Sequence, residues 1–199
     1  MKRLLLVRHG ESEWNAVRRL QGQANIALSA KGQDQARMLA PLLASWRPDL
    51  VLTSDLARAV QTASLVGYPD AEHEPALREH NVGVWTGQPI AEIKAREEAN
   101  YLAWRAGTYA PPEGEMWRDM RARIGAAMQR ALQRVEQTGL LVCHGGVIRA
   151  ALDHTLGLEP ARIIPVGPAS LTILAFPDGV ARLEAFNVTG AAPVVDAPD

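Results

Sequence analysis

Leu4-Leu5-Leu6-Val7-Arg8-His9-Gly10-Glu11, near the start of the chain, is echoed far downstream by Leu140-Leu141-Val142-Cys143-His144-Gly145-Gly146. Each is a short, unalternating apolar run that ends abruptly in polar residues and glycine, the pattern of a strand buried on both faces. Leu50-Val51-Leu52-Thr53 is a third such run. Helical spacing fills the intervals. Behind Ser29, a candidate N-cap, Ala36, Leu39, Ala40 and Leu43 recur on one face up to Trp46, with Pro41 expected to kink or restart the helix. Ala57 to Leu65 reads as a second helix closed by Gly67, with Ser54-Asp55-Leu56-Ala57 as its capping segment. Strand, helix, strand, helix predicts an α/β fold, a three-layer α/β/α sandwich with a mostly parallel central sheet. Ligands of such sheets bind beyond the carboxyl ends of the strands. His9 and His144 each directly follow a predicted strand, so both belong at that rim.

The rest of the chain extends this plan. A short strand is expected around Ala71 to Glu74, then an irregular loop. Pro89 suits the first position of a helix over Ile90 to Ala106. With the loop Gly107 to Gly114, that helix forms an inserted helical cap at about residues 84–116, and residues 1–199 read as a single domain. A long helix follows, with Trp117, Met120, Ile124, Met128, Ala131 and Val135 on one face and Gly139 as its stop. His144-Gly145-Gly146 opens a helix to His154. Leu171 to Phe176 and Val180 to Phe186 flank the hairpin signal Pro177-Asp178-Gly179, and the tail beyond Asn187 is expected to fray.

Composition narrows the function. The chain has 199 residues, 47% hydrophobic and 22% charged, in the range of ordinary soluble domains. Lys and Arg total 21 against 22 Asp and Glu, so nothing marks a nucleic-acid partner. No run approaches the roughly 18 apolar residues of a membrane span, and Leu4 to Val7 is too short for a signal peptide. The single cysteine, Cys143, excludes an internal disulfide framework and suits a reducing compartment, with the cytoplasm as the expected location. A monomer and a homodimer are equally open.

At the rim, Arg8 adjoins His9, and Arg58 near the start of the second helix should reach the same place. Guanidinium forks, imidazoles and a helix N-terminus on one rim make a pocket for a tetrahedral anion, most simply a phosphoryl group. No P-loop pattern or Mg²⁺-type carboxylate cluster accompanies it. A neutral histidine can itself attack phosphorus, flanking cations steady the transferring oxygens, and a carboxylic acid such as Glu79 can protonate the leaving group.

The motifs RHGESEWN (8–15), QG (21–22), LSAKGQDQA (28–36), SDLARAVQTA (54–63), LREHNVGVWTG (77–87), PPEGE (111–115) and CHGGVIRA (143–150) occur in the order found in the histidine phosphatase superfamily, the phosphoglycerate mutase-like proteins, which the chain resembles over about three quarters of its length. The resemblance implies His9 as the phosphorylated nucleophile, Arg8, Arg58 and His144 as the rest of the phosphate pocket, and Glu79 as proton donor and later activator of water. It implies phosphate or substrate contact for Asn15, Gln21 and Gly22, and no metal or cofactor. Mutases of this family usually carry a Tyr where Val82 stands and an arginine pair in the lobe. Neither occurs here, and Gly83-Val84-Trp85-Thr86-Gly87 looks like the phosphatase branch. The expectation is a metal-independent phosphatase acting on a small phosphorylated metabolite, a sugar phosphate or phosphorylated acid. The alternatives are a cofactor-dependent phosphoglycerate mutase and a non-catalytic phospho-ligand binder. Tyr101, Trp104, Arg105, Tyr109, Trp117 and Arg118 are candidate lining residues for the substrate.

Plainer roles compete with several of these assignments. His9 and His144 could be ordinary hydrogen-bonded histidines, Arg58 could pair with Asp55, and Glu79 could be one more solvated acid beside Glu72 and Glu74. The Trp117 stripe reads more readily as core than as pocket, Trp85 as packing, and Cys143 as an inert buried hydrophobe. His73, His80 and His154 have no functional role in this reading.

Overall fold

The computed structural model describes residues 1–190. Six strands form one sheet: β1 (Lys2–Arg8), β2 (Leu50–Thr53), β3 (Glu72–His73), β4 (Thr138–Cys143), β5 (Ser170–Phe176) and β6 (Arg182–Thr189), in the spatial order β3-β2-β4-β1-β5-β6. β3, β2, β4 and β1 run parallel, and β5 and β6 close that edge antiparallel. This is the α/β fold expected. Four parallel strand ends open on one rim, and β1 and β4 are neighbours.

Both faces of β1 are buried, which explains its unbroken apolar run. Leu4 and Leu6 point to a core shared with α5 (Trp117–Arg134) and α6 (Gly145–Leu156), where Met120, Ile124, Val147 and Ile148 meet them. Leu5 and Val7 point to the opposite core under α2 (Ala30–Ala44) and α3 (Ala57–Leu65), among Leu39, Leu43, Ala59 and Ala63. Period-2 alternation thus places one strand in two cores at once. A smaller cluster of Leu20, Val82, Trp85, Ile93, Tyr101 and Trp104 lies against α4 (Ile90–Arg105).

Several local expectations change. A short helix not foreseen from the sequence, α1 (Glu13–Ala16), is nucleated by a reciprocal cap between Ser12 and Asn15. α2 passes through Pro41 without restarting, because the proline is exposed and only its own missing N–H interrupts the ladder. The break falls instead in α4, at Glu97 (φ −150°, ψ 50°), whose carboxylate accepts the Trp85 indole N–H at 3.0 Å. α5 ends at Arg134 and the chain turns extended at Val135, so Gly139 is not a helix stop but a strand residue paired between Leu4 and Leu50. α3 is not capped by Ser54 or Asp55. Leu56 is its N-cap residue without a side-chain bond, and Asn25 from another loop accepts the Ala57 N–H at 2.7 Å. The hairpin forms, and β6 keeps residues 188 and 189 in the sheet where fraying was expected. Positions 191–199 of that tail lie outside the described residues.

The loop after β1 is pressed against the first turn of α2. A Cβ at Gly32 would lie 1.9 Å from the Glu11 carbonyl oxygen and 2.7 Å from its nitrogen, and main chain cannot yield as a side-chain tip can. Gly32→Ala is therefore expected to destabilise the protein by about 2 kcal/mol or more, read as a lower urea midpoint. An unchanged midpoint would show that α2 can back away freely.

Candidate active site

The parallel register pairs Arg8 with Cys143, so the residues that follow, His9 and His144, leave the sheet side by side. The His9 N–H still donates to the Cys143 carbonyl at 3.0 Å, and the imidazoles meet edge to face with centroids 5.1 Å apart. β2 ends on the same rim, where Ser54 Oγ lies 2.9 Å from His144 Nε2. α6 starts immediately after His144 and directs its N-terminal dipole toward the pair.

His9 Nδ1 lies 2.6 Å from the Gly10 carbonyl, and a carbonyl can only accept, so Nδ1 carries the proton. Nε2 keeps its lone pair and accepts from Arg58 Nε at 3.2 Å. Arg58 is itself buried, and its remaining donors go to the carbonyls of Ala24 (2.7 Å) and Gly22 (2.9 Å). Gly22 makes that approach at φ +50°, with the Val82 side chain and main chain too close for a Cβ. Arg8 donates to the Val166 carbonyl from inside the core. Arg58 does not pair with Asp55, which Arg78 holds in a two-pronged ion pair.

Burial fixes the electrostatics. It pushes the His9 imidazole well below its ordinary 6.5, helped by the cations Arg58 and Arg8, and it does the same to His144. Loss of water also draws Arg58 down to about 10, while Glu79 pulls it back up. Both imidazoles are thus neutral at pH 7, with Arg58 held beside them by main-chain carbonyls.

Glu79 stands on the loop after β3, tied down by Gln23, which donates to its carbonyl, and by Arg123, which donates to the carbonyls of Ala76 and Arg78. Its carboxylate accepts from the His80 N–H (2.8 Å) and, across the cleft, from the Gly146 N–H (3.1 Å). One cavity is lined by Arg8, His9, Gln21, Gly22, Arg58 and Glu79. Asn15 does not line it. Its Oδ1 accepts from the Ser12 N–H at 3.2 Å, and the Ser12 hydroxyl reaches Gln21 Oε1 at 2.7 Å, so Asn15 supports the wall from behind. His144 likewise stands behind His9. Of the candidate lining residues, Trp104 and Trp117 reach the cavity, Tyr101 and Tyr109 pack around Trp85, and Arg118 is an exposed partner of Asp119.

Two ionisable cavity residues have no role in the sequence reading. His80 is locked between the Trp104 indole N–H on Nδ1 (3.1 Å) and the Glu115 carbonyl at Nε2 (2.7 Å). Its signal was adjacency to Glu79. Arg149, within CHGGVIRA, lies over the Trp117 ring at 5.5 Å. Among the described residues no three His, Cys, Asp or Glu side chains gather as a metal site, and no helix is long and apolar enough to cross a membrane. The arrangement can seat a tetrahedral anion between two guanidinium groups, facing a nucleophilic nitrogen and a carboxyl group.

Comparisons with known proteins place the chain in a family. The family model of the histidine phosphatase superfamily (branch 1) matches residues 4–189. The chain is 37% identical over 168 residues to the probable phosphoglycerate mutase GpmB of Yersinia enterocolitica, covering 80% of this chain and 77% of that one. It is 36% identical over 172 residues to the glucosyl-3-phosphoglycerate phosphatase of Mycolicibacterium vanbaalenii, covering 79% and 76%. A solved mycobacterial glucosyl-3-phosphoglycerate phosphatase in complex with VO3 superposes with a TM-score of 0.88 at 33% identity, covering 95% of this chain and all of that one.

The neutral imidazoles make stability depend on pH. The unfolded chain protonates His9 and His144 near 6.5, whereas the folded chain resists doing so, so their contribution is present above 6.5 and is lost as pH falls below it. Each removes up to about 1.4 kcal/mol per pH unit in that window. Urea unfolding at pH 7.5 and 5.5 is expected to show a clear loss at the lower pH. Equal stability at the two would mean that the histidines charge readily in the fold.

Proposed function

Because the chain belongs to the histidine phosphatase superfamily, we propose that it is a metal-independent phosphomonoesterase that works through a phosphohistidine on His9. The observation that carries this reading is the locked His9 tautomer, with its Nε2 lone pair facing Arg58 in a buried, cationic pocket. The phosphoryl group of the substrate sits between Arg8 and Arg58, with Gln21 and Gly22 at its edge. His9 Nε2 attacks phosphorus, and the bond to the ester oxygen breaks as Glu79 delivers a proton to it. The guanidinium groups steady the charge on the transferring oxygens. His144, packed edge to face on His9 with centroids 5.1 Å apart, holds the attacking ring from behind. Glu79, now ionised, takes a proton from water as that water attacks phosphorus. Phosphate leaves, and His9 returns with its lone pair.

Glu79 is supported in this role by its position, since two main-chain N–H groups hold its carboxyl group in the cavity that His9 also lines. Beyond the phosphate, the cavity wall is Leu20, Val82, Trp104 and Trp117 with Arg149 among them. Aromatic faces beside a buried guanidinium suit a small sugar phosphate or a phosphorylated acid, and residues 84–116 act as the cap over it. The phosphoglycerates, glucosylated or free, are the first substrates to try, since the relatives' names include both. The likeness to a probable mutase supports phosphoglycerate mutase activity as the second reading.

Hydrolysis of p-nitrophenyl phosphate and 3-phosphoglycerate is expected to continue in EDTA and to release phosphate without forming 2-phosphoglycerate. His9→Ala should lower kcat by about three orders of magnitude or more, and Glu79→Gln should slow esters with poor leaving groups more than p-nitrophenyl phosphate. Turnover retained in His9→Ala overturns the covalent mechanism. Isomerisation that needs a bisphosphate primer makes the protein a mutase.

A further inference from the structure

His80 adjoins the proposed acid and lines the catalytic cavity, yet no step described above uses it. The residue is buried between two elements. On one side the indole N–H of Trp104, in the last turn of α4, donates to Nδ1 at 3.1 Å. On the other, Nε2 lies 2.7 Å from the carbonyl of Glu115, two residues before α5. That carbonyl is firmly placed, because the Glu115 N–H donates to the Asn81 carbonyl at 2.9 Å and its carboxylate accepts from Arg123 at 2.7 Å. An indole N–H can only donate and a carbonyl can only accept. Between them the ring carries its proton on Nε2 and its lone pair on Nδ1, and is neutral. Burial holds it below its ordinary 6.5, against the upward pull of the Glu115 carbonyl and of the Glu79 and Glu115 carboxylates.

The ring is also part of an aromatic column. Trp85 meets Trp104 edge to face at 5.9 Å, Trp104 stacks on His80 at 5.9 Å with the planes 15° apart, and His80 meets Trp117 edge to face at 5.8 Å. The outer indoles are anchored in turn, Trp85 on Glu97 at 3.0 Å and Trp117 on Asp153 at 2.7 Å. At His80 this column meets the main chain that holds Glu79. The His80 N–H donates to Glu79 Oε1 at 2.8 Å, and the Gly146 N–H donates to Oε2 at 3.1 Å. A ring fixed at both nitrogens steadies its own main-chain N–H, and that N–H sets the way the carboxyl group faces.

We infer that His80 is a positioning residue, which couples the seating of residues 84–116 over the cavity to the aim of the Glu79 carboxyl group. With both nitrogens taken, the ring offers a substrate neither donor nor acceptor, and it offers a proton no route. A space-filling role would need neither bond, and phenylalanine would serve as well. When Trp104 moves away, His80 loses one of its two ties, and Glu79 loses the stiffness of one of its two N–H donors. The inference rests on the reading of Glu79 as proton donor to the leaving group.

The experiment compares kcat/KM for phenyl phosphate and p-nitrophenyl phosphate, two esters of similar shape of which the first has the poorer leaving group and needs the proton more. In His80→Phe the loss is expected to be roughly tenfold or more greater for phenyl phosphate than for p-nitrophenyl phosphate. His80→Gln, which keeps one acceptor and one donor, should restore most of that difference. In a Glu79→Gln background His80→Phe should widen the difference no further. Trp104→Phe keeps a ring in the wall and removes the N–H, so it should shift the ratio in the same direction even where His80→Phe melts too low to assay. Equal losses on the two esters in both single variants overturn the inference, as does a full additional widening on top of Glu79→Gln. A parent protein that hydrolyses neither ester overturns the phosphatase reading and this inference with it, whereas a parent that hydrolyses both, with variants that slow them equally, overturns this inference alone.

Discussion

The pairing of β1 with β4 is the constraint on which the site depends. Their parallel register sets Arg8 opposite Cys143, and two imidazoles leave the sheet as immediate neighbours. Side chains alternate along a strand, so a slip of one residue would turn Leu5 and Val7 into the wrong core and carry His9 to a different level from His144. Hydrophobic sorting between the two cores therefore also sets the distance between the histidines. The contacts that stabilise the fold and those that arrange the chemistry are the same ladder of main-chain hydrogen bonds.

A second theme is how buried arginines are held. Arg58 and Arg149 direct hydrogen bonds at main-chain carbonyls, and Arg8 does so at Val166. Arg78, on the loop that carries Glu79, and Arg123, on α5 beneath that loop, are instead matched to Asp55 and Glu115. A carbonyl orients a guanidinium without cancelling its charge, whereas a carboxylate cancels it. Arg58, bonded to His9 and to two carbonyls, keeps its charge at the cleft, and Arg78 and Arg123 serve as structural ties. The inner arrangement is expensive in desolvation, and it persists because each N–H that is bonded meets a fixed acceptor.

The sequence made the framework and the ends of its strands legible because those depend on short-range pattern: an apolar run, its abrupt end, and a histidine followed by glycine. Arg58 is expected at the rim from a helix start alone, and its Nε lies 3.2 Å from His9 Nε2. What failed depended on long-range partners. Nothing local says that Asn25 caps α3, that Glu97 leaves its helix for the Trp85 indole, or that Arg78 claims Asp55. His80 and Arg149 were overlooked for the same reason, since each acquires its place from residues distant in the chain. Asn15 was expected at the phosphate from the resemblance and lies behind the wall, where its partner Ser12 has a local signature that went unread.

The hydrogen bond from His9 Nδ1 to the Gly10 carbonyl also decides regiochemistry. An imidazole offers two nitrogens to an electrophile, and free histidine in water can react at either. Here one nitrogen is spoken for by the main-chain oxygen of the next residue, so a phosphoryl group accepted by this ring resides on Nε2 alone. Its isomer is written into the backbone at the turn after β1.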